Sequence, residues 1–162
     1  VKKIKEWFSD VSKSDGKTLE ELCSAFVNED AQKIEQIYGE YLWNTISIRD
    51  TAVAKEKKEN FYHGLLLGLL RGSNPNWLIK SNRESGDGFS DIIIKPEDPD
   101  SGIIIEVKYA TSFQGLDKSC EDAMNQINTR RYDAVLREEG RCNIIKYGIA
   151  FHKKRCKVVS DK

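Results

Sequence analysis

Two short runs of isoleucine, separated by a polar turn, constrain the fold of this chain more than any other feature. The first is Ile92-Ile93-Ile94, and the second lies in residues 102–109, which read Gly-Ile-Ile-Ile-Glu-Val-Lys-Tyr. Runs of β-branched residues this short predict strands that are buried on both faces of a sheet. The segment 96–102 between them holds two prolines and ends in glycine, which is typical of a turn. We therefore expect a hairpin in the middle of the chain.

Helical periodicity precedes this hairpin and returns after it. Thr18 and Glu21 predict a capping box, Asp30 a second N-cap, and Gly72 a C-cap. The predicted elements are helices from Thr18, over 30–45, 52–70 and 117–138, and strands over 76–81, 90–95, 102–109, 143–151 and 156–159. This order predicts an α/β or α+β sandwich with a mixed sheet.

The composition bounds the class of protein. The 162 residues carry 26 basic and 26 acidic side chains, which fits one ordinary domain and excludes binding to nucleic acid or membrane by bulk positive charge. The longest apolar run is far too short to span a bilayer, and we expect a cytoplasmic protein that does not bind membranes. The four cysteines form no C-x-x-C pair and predict reduced thiols. Because the chain starts at Val1, we expect a piece of a longer protein.

Three charged residues interrupt the two apolar strands: Asp91, Glu106 and Lys108. A hairpin centred near Pro99 would set Asp91 opposite Val107, beside the other two charges. Two carboxylates about 4 Å apart repel by ~4 kcal/mol at an effective dielectric constant near 20, so the site requires cations. Lys108 supplies one, and a hard divalent ion such as magnesium is a natural second. The alternative is an ion pair at the exposed rim of a sheet, in a purely structural domain.

The acid, hairpin and Glu106-Val107-Lys108 resemble the D...(D/E)-x-K signature of the PD-(D/E)XK nuclease superfamily. Residues 59–64, 84–91 and 123–127 are similar to the RecB-like nuclease domain that follows an AAA-ATPase-like domain in uncharacterised bacterial proteins, so the resemblance covers roughly residues 19–159. It implies a restriction-endonuclease-like three-layer sandwich, whose mixed central sheet is flanked by helices, with extra N-terminal helices. Residues 18–162 would form this domain and residues 1–17 a linker or the tail of an upstream domain.

The resemblance also implies a metal site. Asp91 and Glu106 would bind Mg²⁺, or Mn²⁺ in its place, together with the backbone carbonyl of Val107. Glu59, the acid of the upstream helix, would be a further candidate ligand and a catalytic residue.

Two more catalytic residues follow from the resemblance. Lys108 would orient the attacking water or stabilise the phosphate, and Gln126 would correspond to the glutamine of RecB-like nucleases. Tyr132 lies six residues after Gln126, not four, and so departs from the RecB-like pattern. Phe89 stands where close relatives often have arginine. The literal Pro99-Asp100 pair lies inside the turn, and we assign the acid to Asp91 instead.

Other residues have competing interpretations. His63 lies one helical turn after Glu59 and could serve a metal or only contact that glutamate. The basic cluster in residues 152–157 is either a solvated strand end or, with Arg130 and Arg131, a track for a phosphate backbone.

The sequence therefore leaves two candidate functions. The first is Mg-dependent hydrolysis of phosphodiester bonds, with nucleic acid, DNA before RNA, as the partner. The second is a catalytically weak or inactive module that binds nucleic acid or a protein for an upstream ATPase domain. Homodimer formation is left open.

Overall fold

The computed structural model describes residues 16–46, 55–83 and 89–162, and for residues 16–17, 55–57, 82–83 and 89–91 it describes the backbone alone. Five α-helices and five strands lie in these ranges. In chain order they are α1 (Gly16–Val27), α2 (Ala31–Thr45), α3 (Lys55–Ser73), β1 (Leu78–Arg83), β2 (Phe89–Lys95), β3 (Ser101–Tyr109), a 3₁₀ turn (Phe113–Gly115), α4 (Leu116–Arg130), α5 (Asp133–Glu138), β4 (Asn143–His152) and β5 (Arg155–Asp161). The predicted linker falls on residues 1–15, outside the described residues, and on the first two residues of α1.

The strands form one mixed sheet in the order β1-β2-β3-β4-β5. β3 and β4 are parallel, and every other neighbouring pair is antiparallel. A parallel pair requires a crossover connection, and here α4 and α5 supply it. The sequence prediction of an α/β fold with a mixed sheet flanked by helices is confirmed.

The alternation of side chains along β3 divides the core into two layers. Ile103, Ile105 and Val107 pack with the N-terminal helices α1, α2 and α3, while Ile104 packs with Ile127 of α4 and with α5. Because successive side chains of a strand point to opposite faces, Glu106 and Lys108 lie on the α4 side. The central strand therefore presents its charges to one helix only.

The predicted helix over 117–138 is wrong in its middle. Arg131 has a left-handed φ of 51° and divides the segment into α4 and α5. The break allows α5 to turn back so that Leu136, fully buried, packs over β3. It packs where a Cβ on Gly102 would come within 2.8 Å of its Cδ1 atom.

Two predicted helix ends also differ. α1 begins at Gly16, so Thr18 lies inside the helix rather than at its N-cap, and α3 continues through Gly72 to Ser73. Asp30 is confirmed as the N-cap of α2, because its side chain accepts a hydrogen bond of 3.0 Å from the Lys33 N–H.

The hairpin register is one residue away from the predicted one. The paired residues are Ile92 with Ile105 and Ile94 with Ile103, and continuing this register sets Asp91 across from Glu106 rather than from Val107. The turn explains the difference. Asp98 accepts hydrogen bonds from the Ser101 hydroxyl and the Asp100 N–H, at 2.5 and 3.1 Å, and so closes the turn between residues 98 and 101.

Candidate active site

Glu106 and Lys108 form an ion pair in the centre of the molecule. The Glu106 side chain is completely buried, and the Lys108 side chain is 21% exposed, with 3.0 Å between Oε1 and Nζ. A buried carboxylate carries a desolvation cost of several kcal/mol, which a nearby cation offsets. The ion pair therefore joins a fully buried carboxylate to a lysine that still reaches solvent.

Gln126 fixes the other side of the lysine. Lys108 Nζ donates a hydrogen bond of 2.5 Å to Gln126 Oε1, from β3 to the middle of α4. The structure thus brings together three of the predicted site residues: Glu106, Lys108 and Gln126. Because an ion pair on one side and a hydrogen bond on the other hold the ammonium group, its position is set from the sheet and from the helix at once.

The close approach of α4 to the sheet depends on Gly148. This glycine pairs with Glu106 in the β3–β4 ladder, and a Cβ there would lie 2.8 Å from the Cys120 carbonyl oxygen and 3.1 Å from Met124 Cγ. Sequence reasoning missed this position. The available signal was a lone glycine inside a predicted strand, which often marks the close approach of another backbone.

Glu59 reaches the same strand from the opposite helical layer. Its carboxylate accepts a hydrogen bond of 3.1 Å from the Tyr109 N–H. The next amide, Ala110, donates to Phe151 in β4 at 2.7 Å, and successive N–H groups of a strand point to opposite sides. Glu59 therefore lies on the side of β3 that faces β2.

The Val107 backbone shares this edge. Residues two apart in a strand direct their main-chain groups to the same side, so the Val107 carbonyl faces the side on which Glu59 binds Tyr109. The β2 backbone at Asp91 lies on this side as well, across from Glu106 in the continued register. The C-terminal half of β3 is thus where the predicted site residues converge.

These donors match the chemistry of a magnesium ion. The carboxylate of Glu106 and the carbonyl of Val107 are hard oxygen ligands, which Mg²⁺ prefers. Among the side chains that the structure describes, which do not include that of Asp91, no group of three His, Cys, Asp or Glu residues is suited to hold a metal ion. The residues fit a hard divalent cation if Asp91 supplies the second carboxylate.

His63 contacts strand β1. It is buried, and its Nε2 atom lies 3.3 Å from the Ser81 hydroxyl of β1, two strands away from β3. The Glu59 carboxylate, on the same helix, binds at β3.

The structure also gives the positions of three other features that the sequence singled out. Asp100 is exposed in the turn, and Tyr132 accepts a hydrogen bond from Arg130 at 3.2 Å, at the far end of α4 from Cys120. The N-terminal end of α4 contacts the basic cluster, because Cys120 Sγ donates to the Lys157 carbonyl at 3.3 Å. Arg130 therefore lies at the other end of α4 from that cluster, and a phosphate track that joins the two stays one of the two alternatives.

A fully buried thiol lies in the α4 layer, next to Gly148. Cys120 is completely buried, and burial raises the pKa of its thiol to about 11. It is consequently a neutral packing residue at neutral pH.

Comparison with known proteins adds one finding. A model of the PD-(D/E)XK nuclease superfamily matches residues 57–161, which include every predicted catalytic residue. No curated protein and no solved structure matches the chain. In the parts of the chain that the structure describes, no helix has the length and apolar character needed to cross a membrane. With most of α3 and all of the hairpin and α4 inside the matched range, the chain belongs to the PD-(D/E)XK nuclease superfamily.

Proposed function

We propose that this chain hydrolyses phosphodiester bonds in DNA, with Mg²⁺ held by Asp91, Glu106 and the Val107 carbonyl. The observation that carries the proposal is the position of Lys108, which lies between a buried carboxylate and a glutamine and is still partly exposed. A lysine that only neutralised Glu106 would need neither the glutamine nor access to solvent.

The metal ion and the side chains would have different roles in the hydrolysis. A bound magnesium ion would polarise the phosphate and lower the pKa of a bound water. Hydrolysis forms a new P–O bond to the water oxygen and breaks the P–O bond to the leaving sugar oxygen, which takes up a proton. The Lys108 ammonium group would stabilise the negative charge that develops on the phosphate.

The remaining residues hold this arrangement. Gln126 accepts from Lys108 and limits its rotation, so the charge is in place before the substrate arrives. Glu59 occupies the Tyr109 N–H and fixes the strand edge beside the Val107 carbonyl. We assign Gln126 to positioning, and Glu59 to positioning with metal binding as a further role.

A binding module is the second candidate, and the absence of net charge favours it. In that case the same fold would bind nucleic acid or a protein with weak or lost cleavage. Whether the chain cleaves nucleic acid or only binds it, we also propose a cytoplasmic location and an upstream AAA-ATPase-like domain, the latter because the resemblance implies it.

Cleavage of plasmid and single-stranded DNA with magnesium tests the proposal. Lys108→Met keeps the methylene stem but removes the charge, and we expect it to lower turnover by on the order of a hundredfold or more. Gln126→Ala should lower it less. Lys118→Met is the matched control, since Lys118 lies on the exposed face of α4 with 69% of its side chain accessible, and it should cleave as the wild type does.

Two results would favour the binding module. One is a wild-type protein that cuts nothing at micromolar concentration. The other is equal cleavage by wild type and Lys108→Met, which would assign the activity to a contaminant.

A further inference from the structure

Two large aromatic side chains are exposed on either side of one arginine, away from Glu106. Trp43 at the end of α2 is 59% exposed, and Phe113 in the 3₁₀ turn is 55% exposed. The Arg155 guanidinium carbon lies 5.9 Å from the centre of the Trp43 ring and 5.4 Å from that of Phe113. Lys154 Nζ adds a second cation, 5.5 Å from the Trp43 ring centre.

These side chains line a groove that reaches the C-terminal end of β3. The groove, of about 660 Å³, runs between α2, the 3₁₀ turn and the β4–β5 turn. A second groove of about 510 Å³ shares Phe113 and Gln114 with it and extends to Tyr109, the residue after Lys108. We name this path the aromatic groove: it is the surface from Tyr109 past Phe113 to Trp43.

The cationic wall of the aromatic groove is held in place. Lys153, in the β4–β5 turn, has a left-handed φ of 53°, and its carbonyl accepts a hydrogen bond from the Tyr62 hydroxyl of α3. Lys154 Nζ donates to the Trp43 carbonyl at 3.0 Å, which joins the turn to α2. The turn is therefore fixed at two points before any ligand binds.

The charges along the groove favour an anionic ligand on this wall. The cations that line it are Lys58, Lys153, Lys154, Arg155 and Lys157. Its acids are Glu35, Glu40 and Asp117, all in the half distant from Tyr109. All three acids have partners within the protein: Glu35 accepts from the Val158 N–H at 2.9 Å, Glu40 accepts from the Gln36 side chain at 3.2 Å, and Asp117 lies 4.0 Å from Lys157.

We propose that the aromatic groove binds an unpaired segment of the nucleic acid that the active site cleaves, with bases stacked on Trp43 and Phe113 and phosphates on the β4–β5 turn. Exposed aromatic rings interleaved with cations bind the faces of unpaired bases, which in a duplex are covered by their neighbours. This inference rests on the proposed function and makes its substrate single stranded, or a duplex with a single-stranded end.

Binding of a fluorescent single-stranded oligodeoxynucleotide in EDTA, followed by anisotropy, tests the groove without cleavage. Trp43→Ala and Phe113→Ala should each weaken binding roughly tenfold, since one stacked base contributes about 1–3 kcal/mol. Leu78→Ala is the control, because Leu78 is an equally exposed apolar residue, 66% accessible, on the opposite edge strand β1. It should bind as the wild type does.

Arg155→Lys separates stacking from charge. Lysine keeps the charge but loses the planar group that can stack between two rings, so binding should weaken severalfold. The salt dependence should change little in this variant. Blunt duplex DNA of the same length should compete poorly.

The outcomes of this experiment and of the cleavage assay are distinguishable. Unchanged binding in both aromatic variants, or preference for blunt duplex, overturns the aromatic groove even if the protein cleaves DNA. Binding that depends on Trp43 and Phe113 in a protein that cleaves nothing supports the groove and overturns the nuclease.

Discussion

Gly148 lies directly across from Glu106 in the parallel ladder of β3 and β4, and the backbone of α4 passes over it at a distance that a methyl group would close to 2.8 Å. This pair joins the buried acid to the helix that carries Gln126. The spacing between sheet and helix, and hence the Lys108–Gln126 hydrogen bond, depends on the absence of a side chain at this glycine.

Gly148→Ala should therefore impair the site without touching a catalytic residue. The contact to the Cys120 carbonyl involves backbone, which cannot rotate away, so we expect a loss of about 1–3 kcal/mol in the free energy of unfolding. Cleavage should fall by more than this loss of folded protein explains, because α4 must shift. Urea denaturation and initial cleavage rates measure the two effects.

Gly64→Ala is the control for that substitution. Gly64 lies inside α3 with open space around it, and alanine is favoured over glycine in a helix by about 0.5–1 kcal/mol. Stability should rise or stay unchanged. Equal damage from the two substitutions would contradict a specific role for Gly148.

Metal binding should stabilise the fold through Glu106. Millimolar Mg²⁺ or Mn²⁺ should raise the melting temperature of the wild type, because a ligand that binds only the folded state stabilises it. Asp91→Asn combined with Glu106→Gln should abolish the shift. A wild-type melting curve that does not respond to either metal would support the purely structural ion pair.

Lys108→Met should depend on metal for its stability more strongly than the wild type does. Without metal, the variant leaves the buried Glu106 carboxylate without its lysine, so it should melt below the wild type. Magnesium should restore part of the difference by supplying a cation. Thermal melting of both proteins in EDTA and in magnesium measures this, and a variant that metal fails to stabilise would argue against an ion at Glu106.

The acid of the turn should be dispensable for cleavage. The Asp100 side chain is exposed, and the residue binds the neighbouring loop through its carbonyl, which accepts from the Cys142 and Asn143 N–H groups. Asp100→Ala keeps that carbonyl and should cleave as the wild type does, whereas Asp91→Ala should be inactive. Comparable losses in the two variants would reverse the assignment of the acid.

The cysteines should differ sharply in their reaction with iodoacetamide. Cys142 is exposed, whereas burial raises the pKa of Cys23 and Cys120 to about 11 and that of Cys156 to about 12. The thiolate is the reactive form, so at pH 8 only Cys142 should be alkylated in the folded protein. Mass spectrometry of the native and urea-unfolded protein provides the comparison, and rapid labelling of Cys120 would contradict the close packing of α4.

The local helices and strands, and the charged residues of the candidate site, could be predicted from neighbouring residues in the chain. The isoleucine runs could only be buried strands, and Asp30 could be recognised as an N-cap because a cap depends on its immediate neighbours. Glu106 and Lys108 were identifiable because they interrupt an otherwise apolar strand. Their shared face follows from the two-residue period of a strand.

Features that depend on residues distant in the chain could be seen only in the folded structure. The hairpin register followed from hydrogen bonds of the Asp98 side chain, and a slip of one residue changes which partner faces Asp91. The bond from Tyr109 to Glu59 joins residues 50 positions apart, and the aromatic groove joins Trp43 to Arg155. No local period encodes such contacts, because they arise only when separate helices and strands pack on one another.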